Sequence, residues 1–139
     1  MKLSEAHFDS IMREYDNQRI KNMHALHTRT KAVYERFPEI KQLDEQIAQL
    51  AEDYAASLTQ TNGMTLAEYR KKLADLRMEK EALLKCFHVD QKELQMQYRC
   101  PDCQDTGYIE NEKCHCLRQR IIDEMYQQSN LREILKAGN

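Results

Sequence analysis

Four of the five cysteines of this 139-residue chain lie within 17 consecutive residues, in two close pairs. Cys100 and Cys103 form a C-x2-C pair, and Cys114 and Cys116 form a C-x-C pair. A turn of the C-x2-C type directs both of its sulfur atoms to the same side. The first residues carry charges where a secretion signal would be apolar, so we expect a cytoplasmic, reducing location and a metal rather than disulfides. The pattern predicts a structural zinc ion held by all four cysteines, with no open coordination position.

Alternatives to this ligand set remain open. His115 could replace Cys114 or Cys116 as the fourth ligand. We expect the segment of the second pair to be extended, which would direct both of its sulfurs to one face and His115 to the other. The cysteines could also be thiols without a metal, a redox dithiol, or the ligands of iron in an electron carrier. The fifth cysteine, Cys86, is expected to be buried as a small apolar residue.

Helices are favoured by the composition, because the chain has only 3 Gly and 2 Pro and 32% charged residues. Apolar residues spaced by threes and fours predict a long helix from Ser4 to about Phe37, with a break at Pro38. Two further helices are predicted on either side of the turn at residues 61–63, with Thr65 and Glu68 forming a capping box. The first of these helices is acidic and the second basic, which favours an antiparallel hairpin.

A second part follows His88. The stretch from Glu93 to Cys100 alternates polar and apolar residues, which predicts a strand. The segment between the cysteine pairs predicts a β-hairpin in which Gly107 adopts positive φ. We then expect a helix from Leu117 to Gln128 and a short helix capped by Asn130. The residues assigned to the buried side of the longer helix are Leu117, Ile121, Ile122, Met125 and Tyr126. Gly138 and Asn139 have the composition of a linker.

These elements predict a mostly α fold in two parts. Residues 1–90 would form the long helix and the antiparallel helical hairpin, and are a candidate partner-docking region. Residues 91–139 would form the zinc-binding β-hairpin with C-terminal helices. The helices of the first part are also compatible with a plain bundle without any site. His24 and His27 lie one turn apart there, but without a third ligand we interpret them as surface residues.

The charge pattern limits the classes of partner. The net charge of −2 provides no overall attraction to nucleic acid or membranes, and no run approaches the about 20 apolar residues of a membrane span. A local basic cluster consists of Arg99, Lys113, Arg118 and Arg120. We expect it to compensate the negative charge of a four-thiolate zinc site, and the alternative is phosphate contact by a zinc-ribbon nucleic-acid-binding module. Neither GxxxxGK[ST] nor GxGxxG occurs, so no common phosphate loop is present.

Several segments resemble one family. They are CPDCQDTGYI (100–109), CHCL (114–117) and LRQRIIDEMYQQSNL (117–131), together with IMREYDNQR (11–19) and VYERFPEIKQLDEQI (33–47). These segments resemble the zinc-containing N-terminal region of bacterial and phage replicative-helicase loaders of the DnaC/DnaI type. In that family the N-terminal domain binds the hexameric replicative helicase, and a following AAA+ domain binds ATP and single-stranded DNA. The resemblance implies a non-enzymatic adaptor for DNA replication, with the four cysteines as metal ligands.

Overall fold

The computed structural model describes residues 3–137, apart from the side chains of Arg132 and Ala137. Within that range the chain is mostly helical, with a small two-stranded antiparallel sheet and a cysteine cluster, as the sequence predicted. The elements, in chain order, are α1 (Glu5–Arg36), α2 (Pro38–Ser57), α3 (Leu66–Cys86), a 3-10 turn (Gln91–Leu94), β1 (Tyr108–Ile109), β2 (Glu112–Lys113) and α4 (His115–Ala137). The linker predicted at Gly138 and Asn139 lies outside the described residues.

The predicted interruption at Pro38 is confirmed. Phe37 has non-helical backbone angles between α1 and α2, and Pro38 is the first residue of α2. A proline disfavours the helical conformation of the residue before it but suits the first turn of a helix. The break gives Phe37 a place in the core, where its ring stacks on that of Phe87 with 4.4 Å between centroids.

The predicted capping box at the start of α3 is also confirmed. The Thr65 hydroxyl accepts from the backbone N–H of Glu68, and the Glu68 carboxylate accepts from the backbone N–H of Thr65. Helices α2 and α3 contact each other. Near the turn that joins them the rings of Tyr54 and Tyr69 stack with 4.5 Å between centroids.

The contacts divide the chain into two compact units. Among the described residues, the cysteine unit comprises 3–25 and 96–137, and the helical unit comprises Leu26–Gln95. This division differs from a boundary near residue 90, because the first part of α1 packs with the cysteine segment. The cysteine unit has its core at Ile11, Tyr15 and Leu117, and the helical unit has its core at Val33, Ile40 and Leu84.

The strand predicted over Glu93 to Cys100 is wrong. Residues Gln91–Leu94 form the 3-10 turn instead, and the side chain of Asp90 caps it by accepting from the N–H of Lys92. The side chain of Arg29 donates to the carbonyls of Glu93, at 3.1 Å, and Gln95, at 2.9 Å. These carbonyls therefore bond to a side chain rather than to a neighbouring strand.

Two predictions about the last helix are wrong as well. Helix α4 continues through Asn130, because nothing between Tyr126 and Leu131 breaks a helix: the segment has neither Gly nor Pro. Ile122 and Tyr126 were assigned to the buried side but are 56% and 69% exposed. Five residues turn a helix by about 140°, so Ile122 cannot share the face of Leu117, which is fully buried.

None of the helices among residues 3–137 combines the length and the apolar character needed to cross a membrane.

Candidate metal centre

The four predicted cysteines come together in the structure. Their sulfur atoms all lie within 4.8 Å of one another. The Sγ atoms of Cys100 and Cys114 are 3.8 Å apart, and those of Cys103 and Cys116 are 3.6 Å apart. A tetrahedral ion with metal–sulfur bonds of about 2.3 Å separates its sulfur ligands by about 3.8 Å. Two of the sulfur–sulfur distances thus match tetrahedral coordination, and all four sulfurs lie close enough together that they could hold one metal ion.

Different local structures position the two pairs. Cys100 and Cys103 lie in the turn before β1. Cys114 directly follows β2, and Cys116 lies in the first turn of α4. The extended conformation expected for the second pair is thus wrong, because the helix already begins at His115. The change from strand to helix between Cys114 and Cys116 still brings their sulfurs to the same site.

The backbone of the loop between the pairs is arranged around Gly107, which adopts positive φ as predicted. Its N–H donates to Cys103 Sγ at 3.4 Å, and its carbonyl accepts from the N–H of Cys114 at 2.8 Å. Gln104 and Asp105 also have positive φ, which is uncommon for residues with a side chain. This tight reversal of the chain brings the two cysteine pairs together. Gly107 contacts one cysteine of each pair, Cys103 and Cys114.

Burial affects the ionisation of the cysteines. Cys100, Cys103 and Cys114 are buried, and Cys116 is partly buried. Burial raises the pKa of Cys116 to about 12, although the Tyr15 hydroxyl partly offsets this effect. Burial also opposes ionisation of Cys103, but the N–H of Gly107 and the neighbouring thiols outweigh it and lower the pKa of that thiol. A divalent cation between the sulfurs would deprotonate all four thiols, because metal binding requires thiolates.

Tyr15 of α1 also contacts the site, which the spacing of the cysteines does not predict. It is 4% exposed, and its hydroxyl oxygen lies 3.0 Å from Cys116 Sγ. Burial, together with the hydrogen bond to Cys116, raises the pKa of Tyr15 well above its usual value. The hydroxyl therefore keeps its proton and can donate it toward a thiolate. The guanidinium of Arg120 lies over the Tyr15 ring, 4.8 Å from its centroid.

The buried side chain of Asp105 stabilises the C-x2-C turn by hydrogen bonds. Its carboxylate is buried and accepts from the backbone N–H groups of Arg99 and Cys100 at 2.9 and 2.8 Å. Asn22 of α1, also buried, donates its side-chain amide to the same carboxylate at 2.7 Å. Burial would raise the pKa of Asp105, but these donors outweigh it and lower the pKa of this carboxyl. Sequence analysis missed both residues.

His115 lies beside the four-sulfur set. Its Nε2 atom is 3.9 Å from Cys100 Sγ and 2.7 Å from a carboxylate oxygen of Asp102. His115, Asp102 and Cys100 thus form a second group that could hold a metal, but His115 and Asp102 are exposed. The four-cysteine set is the more buried of the two, and two of its sulfur–sulfur distances match tetrahedral coordination.

Three of the four basic residues predicted around the cysteines interact with other side chains of this chain. Arg120 forms an ion pair with Glu14, and the Lys113 ammonium lies 6.0 Å from the centroid of the Phe8 ring. The Arg99 side chain attracts Asp105. Arg99 and Arg120 also line one pocket of about 260 Å³, together with Lys21 of α1.

The remaining candidates lie apart from the site. Cys86, which we expected to be buried, is exposed at the end of α3. His24 and His27 are exposed on α1 and belong to neither of the metal-competent groups found among the described residues.

Comparisons with protein-family models, with curated proteins and with solved structures find no match to this chain.

Proposed function

We propose that the four cysteines hold one structural Zn²⁺. The observation that carries this proposal is that four largely buried sulfurs lie within 4.8 Å of one another, with two of their distances at the tetrahedral value. Zinc is the common ion for four-thiolate sites in proteins, and such sites have no free position for a substrate. In this proposal the ion stabilises the folded state and takes no part in catalysis.

Metal analysis of the purified chain tests this proposal. We expect one equivalent of zinc per chain and a colourless preparation. A coloured protein containing iron would instead support the electron-carrier alternative. A chain purified without metal that also fails to bind added Zn²⁺ would contradict a metal site altogether.

The function that we propose for the whole chain is that of a non-catalytic adaptor, the helicase-docking part of a replicative-helicase loader. The proposal is supported by the resemblance of residues 100–131 and of two segments of the helical part to loaders of the DnaC/DnaI type. The closed cysteine site favours it too, because a structural ion suits a module that binds a partner rather than a substrate. In this proposal the helices α2 and α3 contact one subunit of the hexameric helicase, and the cysteine unit fixes the orientation of the bound chain.

Two leucines of the helical unit are the proposed contact residues. Leu58 is 65% exposed at the end of α2, and Leu66 is 48% exposed at the start of α3. They flank the turn between the helices, so one partner surface could cover both. Large apolar side chains at the centre of an interface contribute much of its binding energy.

Gel filtration with the hexameric helicase of the same organism tests the adaptor proposal. We expect the chain to co-elute with the helicase at micromolar concentrations, and the double variant Leu58→Asp, Leu66→Asp to bind at least tenfold more weakly. Ile134→Asp is the matched control, because Ile134 is 67% exposed in the cysteine unit. Failure of the unmodified chain to co-elute would contradict the adaptor proposal. Equal binding by the double variant would contradict the proposed contact.

We rank nucleic-acid binding second. Two of the four predicted phosphate-contacting residues, Arg120 and Lys113, already contact side chains of this chain. Arg99 and Arg118 would have to supply most of the contact to single-stranded DNA. Binding to an oligonucleotide that weakens steeply with salt, and less steeply after Arg99→Ala and Arg118→Ala, would favour this alternative.

A further inference from the structure

Asp105 occupies a special place in the turn that carries the first two cysteines. It is 2% exposed, and it follows Cys103 by two residues at a φ of 59°. One of its carboxylate oxygens accepts from the N–H of Cys100 at 2.8 Å, and the other from the N–H of Arg99 at 2.9 Å. Residues 99 to 105 are thereby closed into a ring by a side chain rather than by backbone pairing.

This closure acts on a metal ligand. The C-x2-C turn lies outside the helices and strands, so regular backbone hydrogen bonding does not orient Cys100. Two adjacent N–H groups held by one carboxylate fix the peptide plane that precedes Cys100, and with it the direction of the side chain. Groups that orient metal ligands in this way typically change metal affinity 10-fold to 100-fold when they are replaced.

The carboxylate is itself held by α1. Asn22 donates to it at 2.7 Å and is 8% exposed, and Gln18 donates to the Asn22 side-chain oxygen at 2.8 Å. Arg19 donates to the backbone carbonyl of Asp105 at 2.9 Å. Two side chains of α1 thus hold the loop at Asp105, and Gln18 in turn holds Asn22.

We propose that Asp105 is a positioning residue for the metal and that Asn22 holds it in place, so that metal affinity depends on a residue of α1 remote in sequence from the cysteines. This inference rests on the proposed zinc site. It extends the site beyond its four ligands to a chain of hydrogen bonds that runs from Gln18 through Asn22 and Asp105 to Cys100.

Three substitutions in the full chain test the inference. Asp105→Asn replaces an acceptor by a donor facing an N–H group, and Asn22→Asp places a second carboxylate against Asp105. Asn17→Asp is the matched control, because it makes the same amide-to-carboxylate change on the same helix at an exposed position. Zinc affinity is measured by competition with a chromophoric chelator. The absorption bands of bound Co²⁺ report the ligand geometry.

We expect Asp105→Asn and Asn22→Asp to weaken zinc binding at least tenfold and to shift the Co²⁺ bands, whereas Asn17→Asp stays within twofold of the unmodified chain. A role in helix stability alone would change melting but leave the Co²⁺ bands in place. Unchanged affinity and bands in both variants, or an equal loss in Asn17→Asp, would overturn the inference.

The outcome remains readable if a variant fails to fold. Circular dichroism at saturating zinc identifies such a failure, and Asn22→Ala, which removes a single hydrogen bond to Asp105, then serves as the test with the same expected direction. For Asn22→Ala, a loss of zinc affinity smaller than tenfold together with a measurable shift of the Co²⁺ bands supports the inference. Unchanged zinc affinity and unchanged Co²⁺ bands contradict it. Absence of zinc binding by the unmodified chain would instead refute the proposed metal, so the two failures are distinguishable.

Discussion

At the scale of single residues, hydrogen-bond donors from different parts of the chain lie next to the sulfur atoms. The N–H of Gly107 donates to Cys103, and the hydroxyl of Tyr15 lies within hydrogen-bond distance of Cys116. Such donors stabilise negative charge on sulfur, which a metal-bound thiolate carries. At Cys116 the hydroxyl offsets only part of the burial that raises the pKa of that thiol, so a metal ion would have to supply the rest of the driving force for deprotonation.

Cys114 and Cys86 provide a matched pair for testing the ligand set. Cys114 belongs to the four-cysteine cluster and is 1% exposed, whereas Cys86 is exposed at the end of α3. Structural zinc sites bind with about 10–16 kcal/mol, so the loss of one ligand in four in Cys114→Ser should cost about 3 kcal/mol, roughly 100-fold in zinc affinity. Cys86→Ser should leave the affinity unchanged. Equal affinities of the two variants would remove Cys114 from the ligand set.

The elements whose signals are local in sequence could be predicted. Thr65 and Glu68 are three residues apart, and Phe37 directly precedes Pro38, so short-range rules were sufficient for both helix starts. The spacing of the cysteines was likewise sufficient to predict that they would meet. The two helix starts depend on contacts within a few residues. The meeting of the cysteines depends on the tendency of closely spaced thiolates to bind one shared metal ion.

The elements that depend on distant contacts could not be predicted. The segment after Asp90 has strand-like alternation, but Arg29, more than sixty residues earlier, binds two of its carbonyls. Asn22 and Asp105 are 83 positions apart, and no spacing rule connects them. One signal was present, because Asn22 follows Tyr15 by seven residues and therefore lies on the same buried face of α1.

The start of α3 carries the clearest prediction for a single element. Thr65→Ala removes the hydroxyl that accepts the N–H of Glu68 and should lower the free energy of unfolding by about 1 kcal/mol. Thr61→Ala, in the exposed part of the preceding turn, is the control and should change stability by less than about 0.5 kcal/mol. Chemical denaturation followed by circular dichroism measures both values. The prediction is wrong if the two variants unfold alike.

Two compact units with different sources of stability make up the molecule as a whole. The helical unit buries Val33, Ile40 and Leu84 and adds the stacked rings of Phe37 and Phe87. The cysteine unit buries Ile11, Tyr15 and Leu117 beside the cysteine cluster, and all four proposed metal ligands belong to this unit. Small units with few buried side chains usually need a metal or disulfides to fold. We therefore expect the cysteine unit to depend on the ion more than the helical unit does.

Amide hydrogen exchange with and without a zinc chelator tests the central claim most directly. If one ion bound by the four cysteines orders the cysteine unit, removing it should speed exchange at least tenfold between Cys100 and Leu117 and in the part of α1 around Tyr15. The amides of α3 should keep their protection. Unchanged exchange between Cys100 and Leu117 after complete removal of the metal would contradict the claim.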